Sequence, residues 1–398
     1  MKAAPAPNWQ KTFKLTNMKI GSENMRMYRF RLYPSKAQEK QMNTNFWLAK
    51  NLWNDLLEHS KTIYQNFDKF PTKSTIAAMT KDSGLYSQVA QEIGSRVENG
   101  IWRYVKLRKS GNGKAGFPRF KSIDRVKSLH YPQFGFSIGK KLKVTPFGEI
   151  SIVQHREIKG KIKTLTLKKE ASGKWFACFA VEKTPTTRAS NGKPTVGIDF
   201  GLKTPATLSD GNVIKNPRHM KKHADRLARL QQFLSRKKKD SKNRRDAKRE
   251  VAIVYEKIAN TRADFLHKAT ISLVNSYSLI AMEKLASQEM SEQNFGKSIN
   301  DAGWRMFANM LRYKAESAGC QVVFVNPENT TKMCSKCGGL QGMPLEVRVY
   351  ECPCGNVMNR DLNAAHNILT RATQGHWGSN ASGDVQQGTS LKEEAHAL

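Results

Sequence analysis

The 398-residue sequence has few acidic residues, few cysteines and no long hydrophobic segment. No run of about 18 apolar residues is present, and the segment after Met1 lacks the apolar core of a signal peptide. We therefore expect no membrane span and a cytoplasmic protein. The 33 acidic residues are outnumbered by 67 basic ones, which gives a formal net charge of +34. Such a chain repels itself unless a polyanion neutralises it, so nucleic acid is the expected partner.

Two other classes of protein would also carry this charge, namely a ribosome-bound protein and a basic protein of the membrane surface. Neither class explains the acidic residues that interrupt apolar strands later in the chain. Hydrophobic residues make up 39% and charged residues 25% of the sequence, which is typical of a globular protein. The length allows two or three domains, each with its own buried core.

Four of the six cysteines are clustered in one short segment, which argues for a metal site and against a disulfide framework. They form two pairs that resemble the knuckles of a zinc ribbon: Cys334 with Cys337, and Cys352 with Cys354. The second pair is Cys-x-Cys where Cys-x-x-Cys is usual. A redox pair or an iron–sulfur centre is the alternative. Because a ribbon is too small for its own core, one structural Zn²⁺ is expected to fold it.

The first half of the chain combines strand and helix patterns. After about two dozen residues without a sustained period, Met27–Tyr33 alternates apolar with basic residues like a half-buried strand, and Pro34 ends it. Residues 35–109 are predicted to be helical, with Ser35 as N-cap and an apolar stripe at four-residue spacing. A β-rich stretch follows to about residue 185. The aromatic residues of the helical region are interpreted as core in preference to base-stacking platforms: Phe46, Trp47, Trp53, Tyr64 and Trp102.

The second half is predicted to be an α/β domain of ribonuclease-H type, because short strands and helices follow one another in the order of that fold. Residues 218–262 are strongly basic and are predicted to form a helical hairpin or a long helix pair. Such a run is usually a solvated face, but this density of Lys and Arg is better suited to tracking a phosphate backbone. Asp301 is a predicted N-cap of the helix that carries Trp304. Beyond about residue 371 the composition predicts disorder.

Three acidic residues are the candidate catalytic groups. Asp199 and Glu283 interrupt apolar strands, and Asp361 opens a helix. Taken alone, Asp361 could be an N-cap, and either strand carboxylate could be in a structural salt bridge. Together they indicate one site that binds two Mg²⁺ ions for phosphodiester hydrolysis, with Asp199 bridging the ions. Asn363 or Arg360 is a candidate contact to the phosphate.

Several segments resemble the TnpB family of transposon-encoded nucleases, which is related to compact type V CRISPR effectors. The resemblance is carried by an ordered series of motifs that covers nearly the whole chain: Phe30–Pro34, Gly116–Lys121, Val196–Gly201, Asp264–Lys268, Asp301–Trp304, the four cysteines and Asn359–Ala365. It implies a multidomain α+β protein. In such a protein a wedge-like β-barrel domain with an inserted helical recognition domain precedes a RuvC-like ribonuclease-H-fold α/β domain with a zinc ribbon insert.

Applied to this chain, the resemblance predicts the following division: a flexible arm at 1–25, the wedge-like domain at 26–34 and 110–185, the recognition domain at 35–109, a linker at 186–193, the nuclease domain at 194–327 and 359–371, the ribbon at 328–358, and a disordered tail at 372–398. The three carboxylates carry over to Asp199, Glu283 and Asp361, and the zinc ligands to the four clustered cysteines. The predicted protein is prokaryotic and nucleoid-associated.

The function implied by the resemblance is RNA-guided DNA cleavage. A guide RNA would be bound as a cofactor and would pair with one strand of a double-stranded DNA target, while the protein holds the displaced strand and reads a short adjacent duplex motif. Two alternatives remain. One is an RNA-guided repressor that binds DNA without cutting it, and the other is a transposition nuclease that acts without RNA.

Overall fold

The computed structural model describes residues 25–111, 113–182, 189–201, 206–215, 217–284, 303–344 and 347–374. These residues fall into two compact units. The first comprises residues 25–170 and 174–182, and the second comprises residues 171–173 and 189–374. Most of the predicted arm and tail, part of the linker, and the predicted N-cap Asp301 lie outside the described residues.

An antiparallel sheet of seven strands forms the base of the first unit. The strands are β1 (Met25–Tyr33), β2 (Ser128–Tyr131), β3 (Phe136–Ile138), β4 (Lys141–Val144), β5 (Gly148–Val153), β6 (Lys161–Lys169) and β7 (Trp175–Glu182). Their order is β2-β6-β7-β1-β5-β4-β3. The two edge strands approach each other through Tyr131 and Phe136, whose rings meet edge to face at 6.5 Å. The predicted barrel is therefore present as a near-barrel sheet.

The alternation predicted for β1 is confirmed. Tyr28, Phe30 and Leu32 are buried in the core of the sheet. The intervening Arg29 lies on the other face, where its side chain is 45% exposed. A strand with one packed face and one basic face follows from the two-residue period of β structure.

Three helices are inserted between β1 and β2: α1 (Lys36–Phe67), α2 (Lys73–Lys81) and α3 (Ser87–Lys109). The predicted N-cap is confirmed, because the Ser35 hydroxyl accepts a hydrogen bond from the Gln38 backbone N–H and the Gln38 side-chain oxygen accepts one from the Ser35 backbone N–H. The stripe on α3 faces the core, where Val97 and Ile101 are fully buried or nearly so.

The expectation that the aromatic residues of these helices are core is wrong for three of the five. Phe46 is buried, and Trp53 is partly buried and donates its indole N–H to the Arg119 carbonyl. In contrast, Trp47, Tyr64 and Trp102 are 52%, 46% and 47% exposed. General burial preferences did not reveal that these three positions face away from the apolar stripes of their helices.

The second unit contains a five-stranded sheet with helices packed on it. Its strands are β8 (Thr195–Asp199), β9 (Ala206–Leu208), β10 (Val213–Ile214), β11 (Leu279–Glu283) and β12 (Gln321–Val325), in the order β10-β9-β8-β11-β12. β8, β11 and β12 are parallel, whereas β9 and β10 are antiparallel additions. The helices are α4 (His219–Ser235), α5 (Lys242–Ser276), α6 (Trp304–Ala318) and α7 (Arg360–Gln374).

The predicted basic hairpin is present as α4 and the first half of α5, which pack through Leu227, Val251, Val254 and Ile258. Immediately before α7, two short strands, β13 (Val349–Glu351) and β14 (Val357–Asn359), form an antiparallel hairpin. α7 continues to Gln374 and thus extends three residues into the segment that was predicted to be disordered. Within the described residues, none of the helices combines the length and the apolar character needed to span a membrane.

Candidate active site and cysteine cluster

Asp199 and Glu283 are the last residues of two adjacent parallel strands, β8 and β11. The residues before them are buried, and Ile198 lies opposite Met282 in the sheet register. Because both strands run in the same direction, the two carboxylates emerge at the same edge of the sheet. They are 6% and 8% exposed, which is unusual for acidic side chains without a cation beside them.

The third carboxylate, Asp361, reaches this edge on the first turn of α7, which packs against β8 and β11. The close packing requires a glycine in β8. A Cβ atom at Gly197 would lie only 2.0 Å from the Ala365 carbonyl oxygen of α7. Gly197 therefore lets the helix lie directly on the strand that ends in Asp199.

Asp361 is not the N-cap of α7. The Asn359 side-chain oxygen accepts hydrogen bonds from the backbone N–H groups of Asp361 and Leu362, at 2.9 and 3.3 Å. This is the role of an N-cap residue. The Asp361 carboxylate is 22% exposed, with the Arg348 guanidinium 3.9 Å away. The capping function is thus filled by a neighbour, which leaves the Asp361 carboxylate available for other chemistry.

The electrostatics of the three carboxylates indicate an unneutralised acidic site. Burial, together with the nearby charges of Glu283 and Asp361, raises the pKa of Asp199 to about 8, although Arg360 opposes the shift. Burial also raises the pKa of Glu283, against the Thr330 hydroxyl and the Arg371 charge, which act to lower it. A cation bound at this edge would remove the repulsion that holds a proton on Asp199.

The donor set suits Mg²⁺, a hard ion that takes carboxylate oxygens and keeps several waters. The carboxylates are nevertheless spaced more widely than the cysteines. In the part of the chain that the structure describes, the four cysteines are the one set of three or more candidate ligands whose ligand atoms all lie within 4.8 Å of one another. Asp199, Glu283 and Asp361 are brought to one edge of the sheet, close enough for their charges to interact.

Thr330, which precedes the first cysteine pair, holds Glu283. Its hydroxyl donates a hydrogen bond of 2.5 Å to Glu283 Oε1, and the residue is 2% exposed. The Thr330 carbonyl in turn accepts a hydrogen bond of 2.8 Å from the Asn367 side chain of α7. Glu283, the segment before the cysteines and α7 are therefore linked by buried hydrogen bonds, which fix the direction of the carboxylate.

The two candidate phosphate contacts, Asn363 and Arg360, have other partners. Asn363 is fully buried, where it donates to the Met333 carbonyl at 2.7 Å and accepts from the Ser335 N–H at 2.9 Å. Arg360 is 6% exposed and donates to the Pro344 carbonyl at 2.7 Å. Both side chains attach the cysteine-bearing segment to α7, so the expectation that one of them steadies the phosphate is not supported.

The four cysteines form a compact cluster, as their spacing predicts. Cys334 Sγ lies 3.7 Å from Cys354 Sγ, and Cys337 Sγ lies 3.6 Å from Cys352 Sγ. Four sulfurs around a tetrahedral zinc with bonds of about 2.3 Å would be about 3.8 Å apart. The cluster could therefore bind one zinc ion, and the shorter Cys-x-Cys knuckle does not prevent this.

Turns of the backbone build both knuckles. In the first, the Cys334 N–H donates to the Gly339 carbonyl and the Gly338 N–H to the Cys334 carbonyl, both at 2.9 Å. Burial acts to raise the pKa of Cys334, but backbone N–H groups directed at its sulfur lower the pKa to about 6 overall. The thiolate form needed by a metal is favoured at this position.

Comparison with known proteins places these features in a family. The chain is 30% identical over 362 residues to a "Putative RNA-guided DNA endonuclease" of Streptomyces pristinaespiralis, covering 86% of this chain and 88% of that protein. It is 28% identical over 405 residues to "Putative RNA-guided DNA endonuclease InsQ" of Escherichia coli K12, covering 94% and 98%. A "TnpB-like protein L79" of Acanthamoeba polyphaga mimivirus is 26% identical over 225 residues, covering 52% and 43%.

The chain belongs to the TnpB family.

Family models match successive parts of this TnpB-family chain. A "Probable transposase" model matches residues 178–294, and a "Cas12f1-like, TNB domain" model matches residues 304–368, which include the cysteine cluster. A "Helix-turn-helix domain" model matches residues 25–69. That region consists here of β1 and the single long helix α1, so its structure is a strand followed by one helix.

One solved structure supports the fold. The chain resembles the protein in a cryo-electron microscopy structure of a Cas12f1–sgRNA–target DNA complex, with a TM-score of 0.55 and 16% identity over 84% of this chain and 83% of that one. This likeness supports a mixed α/β fold.

Three residues that matter for the site were not predicted from the sequence: Gly197, Thr330 and Asn359. Asn359 had a local signal, because Asn immediately before a helix is a preferred N-cap. Gly197 stands in the Val196–Gly201 motif, but nothing in the sequence says which helix would cover it. Thr330 has no local signal, since its role depends on Glu283, which comes from a distant strand.

Proposed function

We propose that this chain is an RNA-guided DNA endonuclease whose hydrolytic site consists of Asp199, Glu283 and Asp361. The observation that carries the proposal is the convergence of the three carboxylates at one edge of the second sheet, where their charges and burial raise the pKa of Asp199 to about 8. An acidic site this poorly neutralised favours a bound metal over a structural ion pair.

Each residue of the carboxylate site has a proposed role in metal binding. Asp199, the most buried of the three, interacts with the charges of both other carboxylates and would bind both ions, while Glu283 and Asp361 would each hold one. Thr330 orients Glu283, and Asn359 caps α7 so that Asp361 keeps its carboxylate free. Two Mg²⁺ ions bound there would activate a water and stabilise the leaving oxygen of the cleaved strand.

The partners are proposed from charge and from the relatives. The formal charge of +34 requires a polyanion, and exposed Lys and Arg side chains along α4 and the start of α5 form one surface able to follow phosphates. Two relatives covered over most of their length are named RNA-guided DNA endonucleases. We therefore assign a guide RNA, a double-stranded DNA target with its displaced strand, and recognition of a short adjacent duplex motif.

The domain roles are part of the same proposal. We assign the wedge role to 26–34 and 110–185, the recognition role to 35–109, the nuclease role to 194–327 and 359–371, and the zinc ribbon to 328–358. The two compact units, which divide the chain between residues 182 and 189, support separating the first two roles from the last two.

The test is to express the wild-type chain and Asp199→Ala with the flanking DNA of the gene, sequence the RNA that copurifies, and assay cleavage of matched plasmid targets. We expect the same discrete RNA with both proteins, and cleavage by the wild type alone. Asp225→Ala is the control, because Asp225 is an exposed carboxylate on α4 and its loss should leave cleavage intact.

Each alternative function predicts another result. An RNA-guided repressor would bind the target without cutting it in the wild type. A transposition nuclease that acts without RNA would cut DNA, and only heterogeneous RNA that salt removes would copurify with it. The transposase description of the model that matches residues 178–294 also points to this activity. Loss of RNA binding in Asp199→Ala would make Asp199 a structural residue.

A further inference from the structure

A pocket in the first unit lies beside the last turns of α1 and α3. Its volume is about 580 Å³, within the range of roughly 300–1,000 Å³ that is usual for sites that enclose a small ligand. The lining includes four aromatic rings: Tyr64, Phe70, Trp102 and Tyr104. The pocket belongs to neither the carboxylate site nor the cysteine cluster, and the proposed chemistry gives it no role.

The aromatic lining is open to solvent, although aromatic side chains usually bury most of their surface. Tyr64 and Trp102 are 46% and 47% exposed. Tyr64 stacks on Phe70 with ring centroids 4.7 Å apart and an interplanar angle of 10°. Tyr104 and Phe70 also contact Phe117, which supports the pocket from behind. Ring contacts therefore support part of this aromatic lining, while part of its apolar area is left uncovered.

The position of Tyr64 is set by the end of α1. Asp68, the C-cap residue, donates its backbone N–H to the Tyr64 carbonyl at 2.9 Å and has a left-handed conformation. The Asp68 side chain lies close enough to raise the pKa of the Tyr64 hydroxyl, and Phe70 stacks on the Tyr64 ring. The ring is thus held in place before any ligand arrives, which lowers the entropy lost on binding.

Cationic side chains surround the aromatic lining. Lys69, Arg108 and Lys109 border the pocket, against the single acidic side chain of Asp68. Arg108 uses one guanidinium N–H to hold the Gly113 carbonyl at 2.9 Å. An apolar, flat interior with a basic border matches a nucleotide, whose base can stack on the rings while its phosphate meets the cations.

We infer that this pocket binds one unpaired nucleotide of the guide RNA, by stacking of its base on the aromatic rings. The inference rests on the proposed function, which supplies the RNA. Proteins that follow single-stranded DNA use successive aromatic platforms along a groove, whereas a single aromatic pocket suits one base extruded from an RNA loop or bulge. A double-stranded DNA target arrives with its bases paired and stacked.

The test compares RNA affinity among variants of Trp102 in the full chain. The probe is the RNA that copurifies with the wild type, transcribed in vitro and titrated at fixed salt. A stacked base contributes about 1–3 kcal/mol, so Trp102→Ala should weaken binding about 5- to 150-fold. Trp102→Phe should bind nearly as tightly as the wild type, and Trp102→Leu should behave like Trp102→Ala, because leucine keeps the apolar bulk but not the flat ring.

Trp47→Ala is the matched control, because Trp47 is an exposed tryptophan of the same unit outside the pocket. It should leave RNA affinity unchanged. Thermal unfolding of each variant checks that the fold is intact, and the comparison of Leu with Phe remains decisive even if Trp102→Ala unfolds. Wild-type affinity in Trp102→Leu would overturn the inference.

Crosslinking identifies the strand. RNA labelled with 4-thiouridine and irradiated in the purified complex should join one or a few nucleotides to peptides that contain residues 64–70 or 102–109. Crosslinks at these peptides from 4-thiothymidine in the displaced DNA strand, with none from RNA, would overturn the assignment to RNA. If no discrete RNA copurified, the proposed function would fail independently of the pocket. The pocket would then be tested with an RNA hairpin that has one bulged uridine. Equal affinity of Trp102→Leu and wild type for this hairpin would contradict base stacking in the pocket.

Discussion

The cysteine cluster and the carboxylate site belong to the same unit, but they reach their geometry by different routes. The four cysteines come from two turns of one short segment, and their sulfurs already lie within 4.8 Å of one another. The three carboxylates come from two strands and a helix that are far apart along the chain. The first site is assembled by local turns, and the second needs the whole fold around it.

The two sites also differ in how the protein shifts the pKa of their candidate metal ligands when no metal is bound. In the cysteine cluster, backbone N–H groups lower the pKa of Cys334 to about 6. In the carboxylate site, burial and like charges raise the pKa of Asp199 to about 8. Within the cysteine cluster the effect is not uniform. A backbone N–H acts to lower the pKa of Cys352, but burial and the neighbouring thiols raise it to about 12. Local structure therefore favours the charged form of Cys334 and disfavours that of Asp199, although α7 and Thr330 connect the two sites physically.

The largest expected effect comes from breaking the cysteine cluster. Structural zinc contributes about 10–16 kcal/mol of binding free energy in small zinc domains, and this energy folds the ribbon. Cys334→Ser should lose the bound zinc, measured by elemental analysis, and should abolish DNA cleavage because Thr330 and α7 lose their support. Cys178→Ala is the control, since Cys178 is in the first unit. Full zinc occupancy in Cys334→Ser would contradict Cys334 as a zinc ligand, and loss of zinc with full cleavage would show that the two sites are independent.

The second effect is on the packing that assembles the carboxylates. Gly197→Ala places a Cβ atom 2.0 Å from the Ala365 carbonyl, a backbone atom that cannot rotate away. We expect a loss of about 3 kcal/mol in unfolding free energy, at the upper end of overpacking costs, and strongly impaired cleavage. Gly342→Ala should be nearly neutral, because a Cβ there would meet nothing within 4 Å. Denaturant unfolding of both variants makes the comparison, and an unaffected Gly197→Ala protein would contradict the close packing of α7 on β8.

A smaller effect should follow from loosening the link between the two sites. Thr330→Val keeps the shape of the side chain but removes the hydrogen bond to Glu283. Removing a residue that orients a metal ligand typically costs about 10- to 100-fold in metal affinity or activity. We expect the Mg²⁺ concentration for half-maximal cleavage to rise by about that factor, and weaker Mg²⁺ binding by calorimetry. Thr330→Ser should behave like the wild type, and equal Mg²⁺ binding by all three would show that Glu283 is oriented without Thr330.

The smallest effect, taken over one pH unit, concerns the pH dependence of stability without metal. The pKa of Asp199 rises from an ordinary value of 3.8 to about 8 in the folded chain. Between these pH values the folded chain keeps a proton that the unfolded chain has lost, so the free energy of unfolding falls as pH rises, by up to about 1.4 kcal/mol per pH unit. Asp199→Asn should flatten this slope in unfolding experiments with chelator present. Added Mg²⁺ should stabilise the wild type at pH 8 more than Asp199→Asn, and parallel slopes for the two proteins would contradict the shifted pKa.

The surface aromatic residues show where reasoning from the sequence was wrong. Trp47, Tyr64 and Trp102 were assigned to the core by general burial preference, but the apolar stripes of their helices point elsewhere. On α3 the stripe through Val97 and Ile101 was visible in the sequence, and Trp102 does not fall on it. The stripe was thus a better guide to burial than residue type, because helical period determines which side chains share a face.

The sequence by itself determined the strand pattern of β1, the cap of α1, the basic hairpin and the grouping of the cysteines, because each depends on residues that are neighbours along the chain. It also identified the three acidic residues that lie together. The tertiary structure decided that α7 rests on Gly197, that Asn359 and not Asp361 caps that helix, and that Thr330 holds Glu283. The pocket with aromatic and basic lining at the ends of α1 and α3 was also visible only in the tertiary structure. Contacts between distant segments form only when packing brings those segments together.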